Sequence, residues 1–99
     1  MAQKSNRNRS QSRLLRQISL PSEVHLRQMK VRPALEMLDR YLSDAVVAGH
    51  PEVRVIHGKG TGTLKNAVLK FLSDHTLVSS HFAAGPSEGN GGVTIAKLK

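Results

Sequence analysis

The residues best suited to chemistry form the run His57-Gly58-Lys59-Gly60-Thr61-Gly62. Residues 53–56, directly before it, carry three β-branched side chains and are typical of a buried strand. An amphipathic helix follows from Leu64. A strand that ends in a glycine-rich turn and opens a helix can bind an anion, because backbone N–H groups are unpaired there and the helix dipole adds partial positive charge. We therefore predict that His57 and Lys59 lie where a phosphodiester would be held.

The same run is also compatible with a tight turn whose glycines only allow a positive φ. It matches neither of the common nucleotide-binding motifs. A Walker loop needs a lysine directly after its last glycine, whereas Lys59 precedes the last glycines of this turn. The dinucleotide fingerprint needs a third glycine where Thr63 stands. An NTP or NAD site is therefore not indicated.

The composition favours a polyanionic partner. The 99-residue chain has a net charge of +8 and a pI near 10.7. It contains no cysteine, which excludes disulfides and thiolate metal sites. One tyrosine and two phenylalanines are too few for a base-stacking platform. No apolar run approaches the roughly 20 residues that a membrane span needs, so we expect no membrane partner.

The charge is concentrated at the beginning of the chain. Residues 1–22 contain five basic side chains and no acidic one, which leaves ten basic and seven acidic side chains in residues 23–99. We predict that 1–22 is a disordered basic leader and that 23–99 is the folded domain. Three interpretations of the leader remain: a linker from a larger protein, an arm that binds polyanions, and an organelle transit peptide.

Hydrophobic spacing predicts the element order β-α-β-α-β-β. Strands are expected at 24–27, 53–56, 77–83 and 93–98, and helices at 34–48 and from the glycine turn to about residue 74. Thr61 or Thr63 is expected to cap the second helix, and Glu36 to pair with Arg40 in the first. This order predicts a two-layer α/β sandwich in which two helices pack on a four-stranded mixed sheet. Its first strands are parallel and a final hairpin extends it, so Arg27 and His57 should meet at the strands' carboxyl ends.

Three ordered motifs carry a resemblance to a known family. Val24-His25-Leu26-Arg27 resembles Leu-Asp-Leu-Arg/His-Gly, the glycine turn resembles His-Gly-x-Gly-x-Gly, and Gly89-Asn90-Gly91-Gly92-Val93-Thr94 resembles Gly-Gly-x-Gly-x-Thr. These are motifs of the Smr (small MutS-related) domain, which the chain resembles from Glu23 to Leu98. Arg27 and the run Gly60-Thr61-Gly62-Thr63-Leu64-Lys65 are most similar to the C-terminal domain of the second bacterial MutS subfamily. In that subfamily a basic linker precedes the domain.

The resemblance implies a fold similar to the C-terminal domain of bacterial translation initiation factor three. It also implies nicking endonuclease activity on DNA, or cleavage of RNA; our own hypothesis is that branched or otherwise non-B DNA is the substrate. Further implications are association with ribosomes, a larger ATPase parent protein, and the bacterial cytoplasm, with an organelle as the alternative. The chain departs from the family where His25 replaces an Asp, Gln28 a Gly and Asn90 a Gly. The first change puts cleavage or metal binding in doubt.

Phosphodiester cleavage needs an activated nucleophile, a stabilised phosphorane and a protonated leaving oxygen. His57 is the first candidate for acid–base catalysis, and His25 is a second in place of the family's carboxylate. The alternative for His57 is that it only hydrogen-bonds the turn. The predicted phosphate-binding residues are the cations and turn residues Arg27, Gly58, Lys59, Gly60, Thr61, Gly62 and Lys65. Within this set, the N–H groups of the three glycines are expected to cradle the phosphate.

No resident cofactor is predicted, and a divalent metal, Mg²⁺ or Mn²⁺, is left open. No two carboxylates lie near the expected pocket, and such ions prefer carboxylate oxygens. His50, His75 and His81 are expected to be structural or exposed. The leading hypothesis is a nicking endonuclease domain that binds DNA, with RNA as an alternative substrate. The rival is a non-catalytic module that binds nucleic acid or ribosomes.

Overall fold

A computed structural model describes residues 20–87 and 91–99. Most of the predicted leader, residues 1–19, and Gly89 and Asn90 of the third motif lie outside this part of the chain. Six elements follow one another in the predicted order. They are β1 (Glu23–His25), α1 (Val31–Val47), β2 (Glu52–Ile56), α2 (Thr63–Asp74), β3 (Val78–Ala83) and β4 (Val93–Leu98).

The four strands form one mixed sheet in the spatial order β1-β2-β4-β3. β1 is parallel to β2, and β4 is antiparallel to both β2 and β3, which confirms the predicted mixed sheet. The last hairpin places β4 inside the sheet and β3 at its edge. The residues explain this order, because Val93–Ala96 are all buried whereas most of β3 is exposed. A strand that is buried on both faces belongs in the centre of a sheet.

Both helices pack into a single hydrophobic core with one face of the sheet. α1 contributes five buried side chains, and α2 contributes Val68 and Leu72. The buried side chains of α1 are Ala34, Leu38, Tyr41, Leu42 and Ala45. The sheet contributes Val24, Val53 and Val55 from its two parallel strands. The core therefore fixes the directions of β1 and β2, whose carboxyl ends carry the candidate site.

α1 begins earlier than predicted, at Val31 instead of Ala34. Pro33 still lies in the first turn, where its missing N–H costs no helical hydrogen bond. The Glu36 carboxylate lies 3.5 Å from Nε of Arg32, one turn before it, instead of pairing with the predicted Arg40. This pair forms because the earlier start of the helix includes Arg32, which lies four residues before Glu36.

The predicted threonine cap of α2 was wrong. The N-cap residue is Gly62, which has φ +89° and makes no side-chain capping bond. Thr63 is the first helical residue, and the Thr61 hydroxyl reaches the Thr63 amide only at 3.5 Å. A left-handed conformation at the N-cap is accessible to glycine and costly for threonine, whose side chain is β-branched.

The chain is tied to the domain before β1 begins. The Tyr41 hydroxyl donates to the Pro21 carbonyl at 2.6 Å, and Nε2 of His50 donates to the Leu20 carbonyl at 2.9 Å. The Arg54 amide donates to the Ser22 carbonyl at 2.8 Å. Residues 20–22, which were predicted to belong to the leader, are therefore anchored to the folded domain. Burial, with a smaller contribution from the charge of Glu23, raises the pKa of Tyr41 to about 12.

Candidate nucleic-acid interface

The carboxyl ends of β1 and β2 lead into two turns that face each other. We name residues 26–30 the first turn and residues 57–62 the glycine turn. A groove of about 570 Å³ lies between them and extends to the starts of both helices. A second groove of about 360 Å³ shares four lining residues with the first: Arg27, Gly58, Lys59 and Gly60. The predicted meeting of Arg27, His57 and the glycine turn at this edge is confirmed.

The backbone of the glycine turn alternates between the two signs of φ. Gly58, Gly60 and Gly62 have φ values of +76°, +44° and +89°, whereas Lys59 and Thr61 have negative φ. Alternation of this kind turns successive N–H groups toward one side, which is the geometry of anion-binding concavities in proteins. Glycine is needed at these positions because a left-handed backbone is costly for most other residues.

The amides that the turn presents differ from those predicted. The amides of His57 and Gly58 donate to the Gly92 carbonyl at 3.0 and 2.9 Å, and the Gly62 amide donates to the Lys59 carbonyl at 3.1 Å. Two of the three glycine N–H groups expected at the phosphate are therefore engaged within the protein. Among the described residues, the amides of Lys59, Gly60 and Thr61 have no such acceptor. Within the described chain, the donors that remain without a backbone acceptor in this turn are thus at its tip.

His57 lies behind the turn and is only 3% exposed. Its Nδ1 is 2.8 Å from the Gly58 carbonyl, which can only accept, so Nδ1 carries a proton and donates. Its Nε2 is 2.9 Å from the Thr94 hydroxyl, which donates to it when the ring is neutral. Both ring nitrogens are therefore engaged. Of the two roles that the sequence allowed, this geometry supports the one in which His57 holds the turn.

Thr94 is a site residue that the sequence reasoning missed. It is 2% exposed and lies on β4, directly opposite Val55 of β2. Its hydroxyl is the polar group that satisfies the buried His57 ring. The sequence contains one indication of this role: Thr94 is a polar residue within the largely apolar predicted strand 93–98, and it is the last residue of the third motif.

Two cationic side chains run over glycines of this region. A Cβ placed on Gly58 would lie 3.3 Å from Cγ of Arg27, and one placed on Gly91 would lie 3.5 Å from Cε of Lys59. These glycines allow the aliphatic stems of the cations to lie flat on the backbone. Lys30, which the sequence reasoning did not select, lines the larger groove as a third cation. None of the described residues lining either groove is acidic.

The remaining predicted site residues are Thr61, Lys65 and His25, and only one of them lines a groove. Thr61 lines the larger groove, whereas Lys65 lines neither groove. His25 is exposed, and its Nε2 lies 3.3 Å from a Glu23 carboxylate oxygen. It pairs in register with Ile56, which lines the smaller groove. His25 is therefore next to the smaller groove but does not line it.

The other three histidines make structural hydrogen bonds, as predicted. Besides the His50 bond to Leu20, His81 lies 2.9 Å from the Ser73 hydroxyl. Nδ1 of His75 accepts from the Leu77 amide, so its Nε2 carries the proton and donates to Asp39 at 2.8 Å. Within residues 20–87 and 91–99, no group of three or more His, Asp or Glu side chains is arranged to hold a metal ion.

The profile of the Smr domain matches residues 24–99, nearly all of the described chain. The chain belongs to the Smr domain family. Endonuclease MutS2 of Thermomicrobium roseum is 58% identical over 77 residues, and that of Symbiobacterium thermophilum is 52% identical over 77 residues. Each alignment covers 78% of this chain and 10% of the relative. This Smr domain thus spans about a tenth of the length of the curated relatives that it matches.

Two solved structures share the fold. The Smr domain of Thermus thermophilus MutS2 has a TM-score of 0.76 and 40% identity, and the match covers 78% of this chain and 96% of that one. YdaL, a stand-alone small MutS-related protein from Escherichia coli, has a TM-score of 0.74 at 23% identity, covering 79% of this chain and 64% of that one. The second likeness concerns the fold alone. The fold and family predicted from the sequence are confirmed.

No helix in the described part of this Smr domain has the length and apolar character needed to cross a membrane.

Proposed function

We propose that this Smr domain is the nicking endonuclease domain of a larger MutS2-like protein and that its substrate is DNA, with structured RNA as the alternative. The observation that carries the proposal is the groove between the two turns. Arg27, Lys30 and Lys59 line it together with the tip of the glycine turn, whose amides have no backbone acceptor among the described residues, and none of the described lining residues is acidic. This set of donors suits a phosphodiester.

The two helices add to the positive potential of the groove. Residues at the start of α1 and at the start of α2 both line it. Neither helix has a side-chain cap or an acidic residue in its first turn, so the positive ends of both dipoles face the groove without compensation. Binding through phosphates does not read base sequence directly, which fits the scarcity of aromatic side chains. We infer recognition of backbone geometry, such as branched or non-B DNA.

In the proposed reaction, Arg27 and Lys59 stabilise the charge that develops on the phosphorane. His25 is the candidate acid–base group because it is exposed, lies next to the smaller groove and has a carboxylate partner in Glu23. His57 is assigned the role of positioning the glycine turn, because both of its ring nitrogens are engaged.

A metal held by this domain does not fit these residues. Mg²⁺ and Mn²⁺ prefer carboxylate and other oxygen ligands. Within residues 20–87 and 91–99, no Asp or Glu side chain lines either groove, and the nearby Glu23 is paired with His25. The proposed reaction therefore uses no metal held by these residues, and the activity assay includes both ions as separate conditions.

The rival proposal is a non-catalytic module that binds nucleic acid or ribosomes. It is favoured by His25 at the position of the family's Asp and by the engaged nitrogens of His57. Under either proposal, an ATPase would belong to the remainder of the parent protein. Under both proposals, we expect the parent protein to lie in the bacterial cytoplasm.

Binding is tested with the 99-residue chain and a fluorescent DNA hairpin at several salt concentrations. Lys59→Gln should weaken binding and reduce the slope of log Kd against log salt by about one. Lys70→Gln is the matched control, because Lys70 is exposed on α2 and lines neither groove. Equal losses in the two variants would contradict the assignment of the groove.

Cleavage is tested by nicking of supercoiled plasmid and of structured RNA, with and without Mg²⁺ or Mn²⁺. His25→Ala should abolish nicking without loss of folding, whereas His81→Ala should leave nicking unchanged. A folded protein that binds DNA through Lys59 but nicks neither substrate would favour the non-catalytic module. Nicking that persists in His25→Ala would exclude His25 as the acid–base group.

A further inference from the structure

The first turn contains the single non-glycine residue with a positive φ in the described chain. Gln28 has φ +65°, in the left-handed region that residues with a Cβ rarely adopt. The resemblance to the Smr family puts a glycine at this position, which would take the conformation without steric cost. Gln28 therefore has a strained backbone conformation that a glycine at this position would adopt without strain.

The surrounding structure imposes this conformation. Leu26 is fully buried, and its amide donates to the Ile56 carbonyl at 2.7 Å. The Met29 amide donates back to the Leu26 carbonyl at 3.1 Å, and the Met29 side chain packs against the core. The chain must reverse direction between these two fixed residues. The left-handed conformation at position 28 is thus imposed by its neighbours, and it is strained for any residue with a Cβ.

The protein itself gains little from the side chain of Gln28. The side chain is exposed and makes no hydrogen bond among the described residues, so nothing seen in the fold compensates the strained backbone. It lines the larger groove next to Arg27 and across from Lys59. Strained residues that surrounding structure maintains are concentrated at functional sites. The amide group is the part of Gln28 that a ligand in the groove can reach.

We propose that Gln28 contacts the nucleoside portion of the bound nucleic acid, beside the phosphate that Arg27 and Lys59 hold. This inference rests on the proposed function. A glutamine amide differs from the neighbouring cations because it is neutral and both donates and accepts hydrogen bonds. It is therefore suited to a base edge or a ribose hydroxyl, which also combine donors and acceptors. Gln28 adds a non-ionic contact to a groove that otherwise binds charge.

Two variants separate the amide from the backbone. Gln28→Ala removes the amide and keeps the left-handed strain, whereas Gln28→Gly removes both. In thermal unfolding of the 99-residue chain, Gln28→Gly should raise Tm by about 4 °C relative to Gln28→Ala, because only glycine relieves the strain. Equal Tm values would show that position 28 is not strained and would remove the basis of the inference.

Binding of the fluorescent DNA hairpin tests the contact itself. Both variants should raise Kd by about 3- to 10-fold, as expected for loss of a neutral hydrogen bond. The slope of log Kd against log salt should stay that of the parent chain, because no counterion release depends on a neutral amide. Lys59→Gln, which lowers the slope, is the reference for an ionic contact. A Kd for Gln28→Ala within twofold of the parent, or a reduced slope, would overturn the proposal.

An RNA hairpin of the same sequence distinguishes the two sources of the contact. A larger loss of affinity on RNA than on DNA assigns Gln28 to the ribose 2′-hydroxyl, and equal losses assign it to a base edge. Failure of the parent chain to bind either hairpin would overturn the proposed function and the inference together. Binding that depends on Lys59 but not on Gln28 would overturn the inference alone.

Discussion

The first turn and the glycine turn reach left-handed backbone conformations by different means. The glycine turn uses three glycines and is held from behind by β4, through the Gly92 carbonyl and the bond between His57 and Thr94. The first turn follows the edge strand β1 and uses Gln28, which lies between the Leu26 bond to β2 and the packing of Met29 against the core. The glycine turn thus takes its left-handed conformations at glycines, which adopt them without steric cost, whereas the first turn takes one at a residue with a Cβ. Under the proposals above, the glycine turn binds the phosphate and the first turn adds the contact of Gln28.

The largest effect is expected where the glycine turn is anchored to β4. His57→Ala should lower the free energy of unfolding by about 2–4 kcal/mol, because it leaves a cavity and a buried Thr94 hydroxyl without its partner. Urea unfolding followed by circular dichroism measures this. His25→Ala is the control, since His25 is exposed and should cost less than about 0.5 kcal/mol. Similar costs for the two histidines would contradict the anchoring role of His57.

A smaller loss is expected when the glycine turn is given a side chain. Gly58→Ala should cost about 1–3 kcal/mol, because φ is +76° and the added Cβ would press on the stem of Arg27. Gly49→Ala has a similar φ of +84° but open space around the new Cβ, so it isolates the backbone cost. The difference in unfolding free energy between the two variants measures the Arg27 contact. A difference of zero would mean that Arg27 moves away freely.

The anchoring of β1, which leads to the first turn, is probed at Tyr41. Tyr41→Phe should lower the free energy of unfolding by about 1 kcal/mol at neutral pH through loss of the hydrogen bond to Pro21. The pKa of Tyr41 is raised from 10.0 to about 12, so the native state holds its proton more tightly than the unfolded state. The corresponding stability is complete below pH 10 and is lost as pH rises toward 12. Between pH 10 and pH 12, the urea midpoint of unfolding should fall as pH rises in the parent chain. It should fall less steeply in Tyr41→Phe.

The smallest effect is expected at the tip of the glycine turn. Thr61→Ala should change the free energy of unfolding by no more than about 0.5 kcal/mol, because the hydroxyl is exposed and its bond to the Thr63 amide is long, at 3.5 Å. A cost above about 1 kcal/mol in the same urea titration would show that Thr61 caps α2 after all.

Local sequence patterns were sufficient for most elements of the fold. Hydrophobic spacing predicted the six elements in their observed order, and it predicted β4 at 93–98 with its observed ends. The order of the elements then predicted the mixed sheet and the edge at which Arg27 and His57 meet. These features depend on periodicity and chain order, which a sequence contains directly.

The sequence alone also identified the glycine turn as the candidate site and the Smr family as its setting. Only the tertiary structure showed that β4 lies beside β2, and this pairing has no local signal because residues 53–56 and 93–98 are far apart in the chain. That pairing brings the Gly92 carbonyl to the turn and the Thr94 hydroxyl to His57. It therefore decides which amides of the turn are engaged by β4 and directs His57 toward the turn instead of toward solvent. The left-handed conformation of Gln28 likewise arises from the packing of Leu26 and Met29, since glutamine by itself does not favour it.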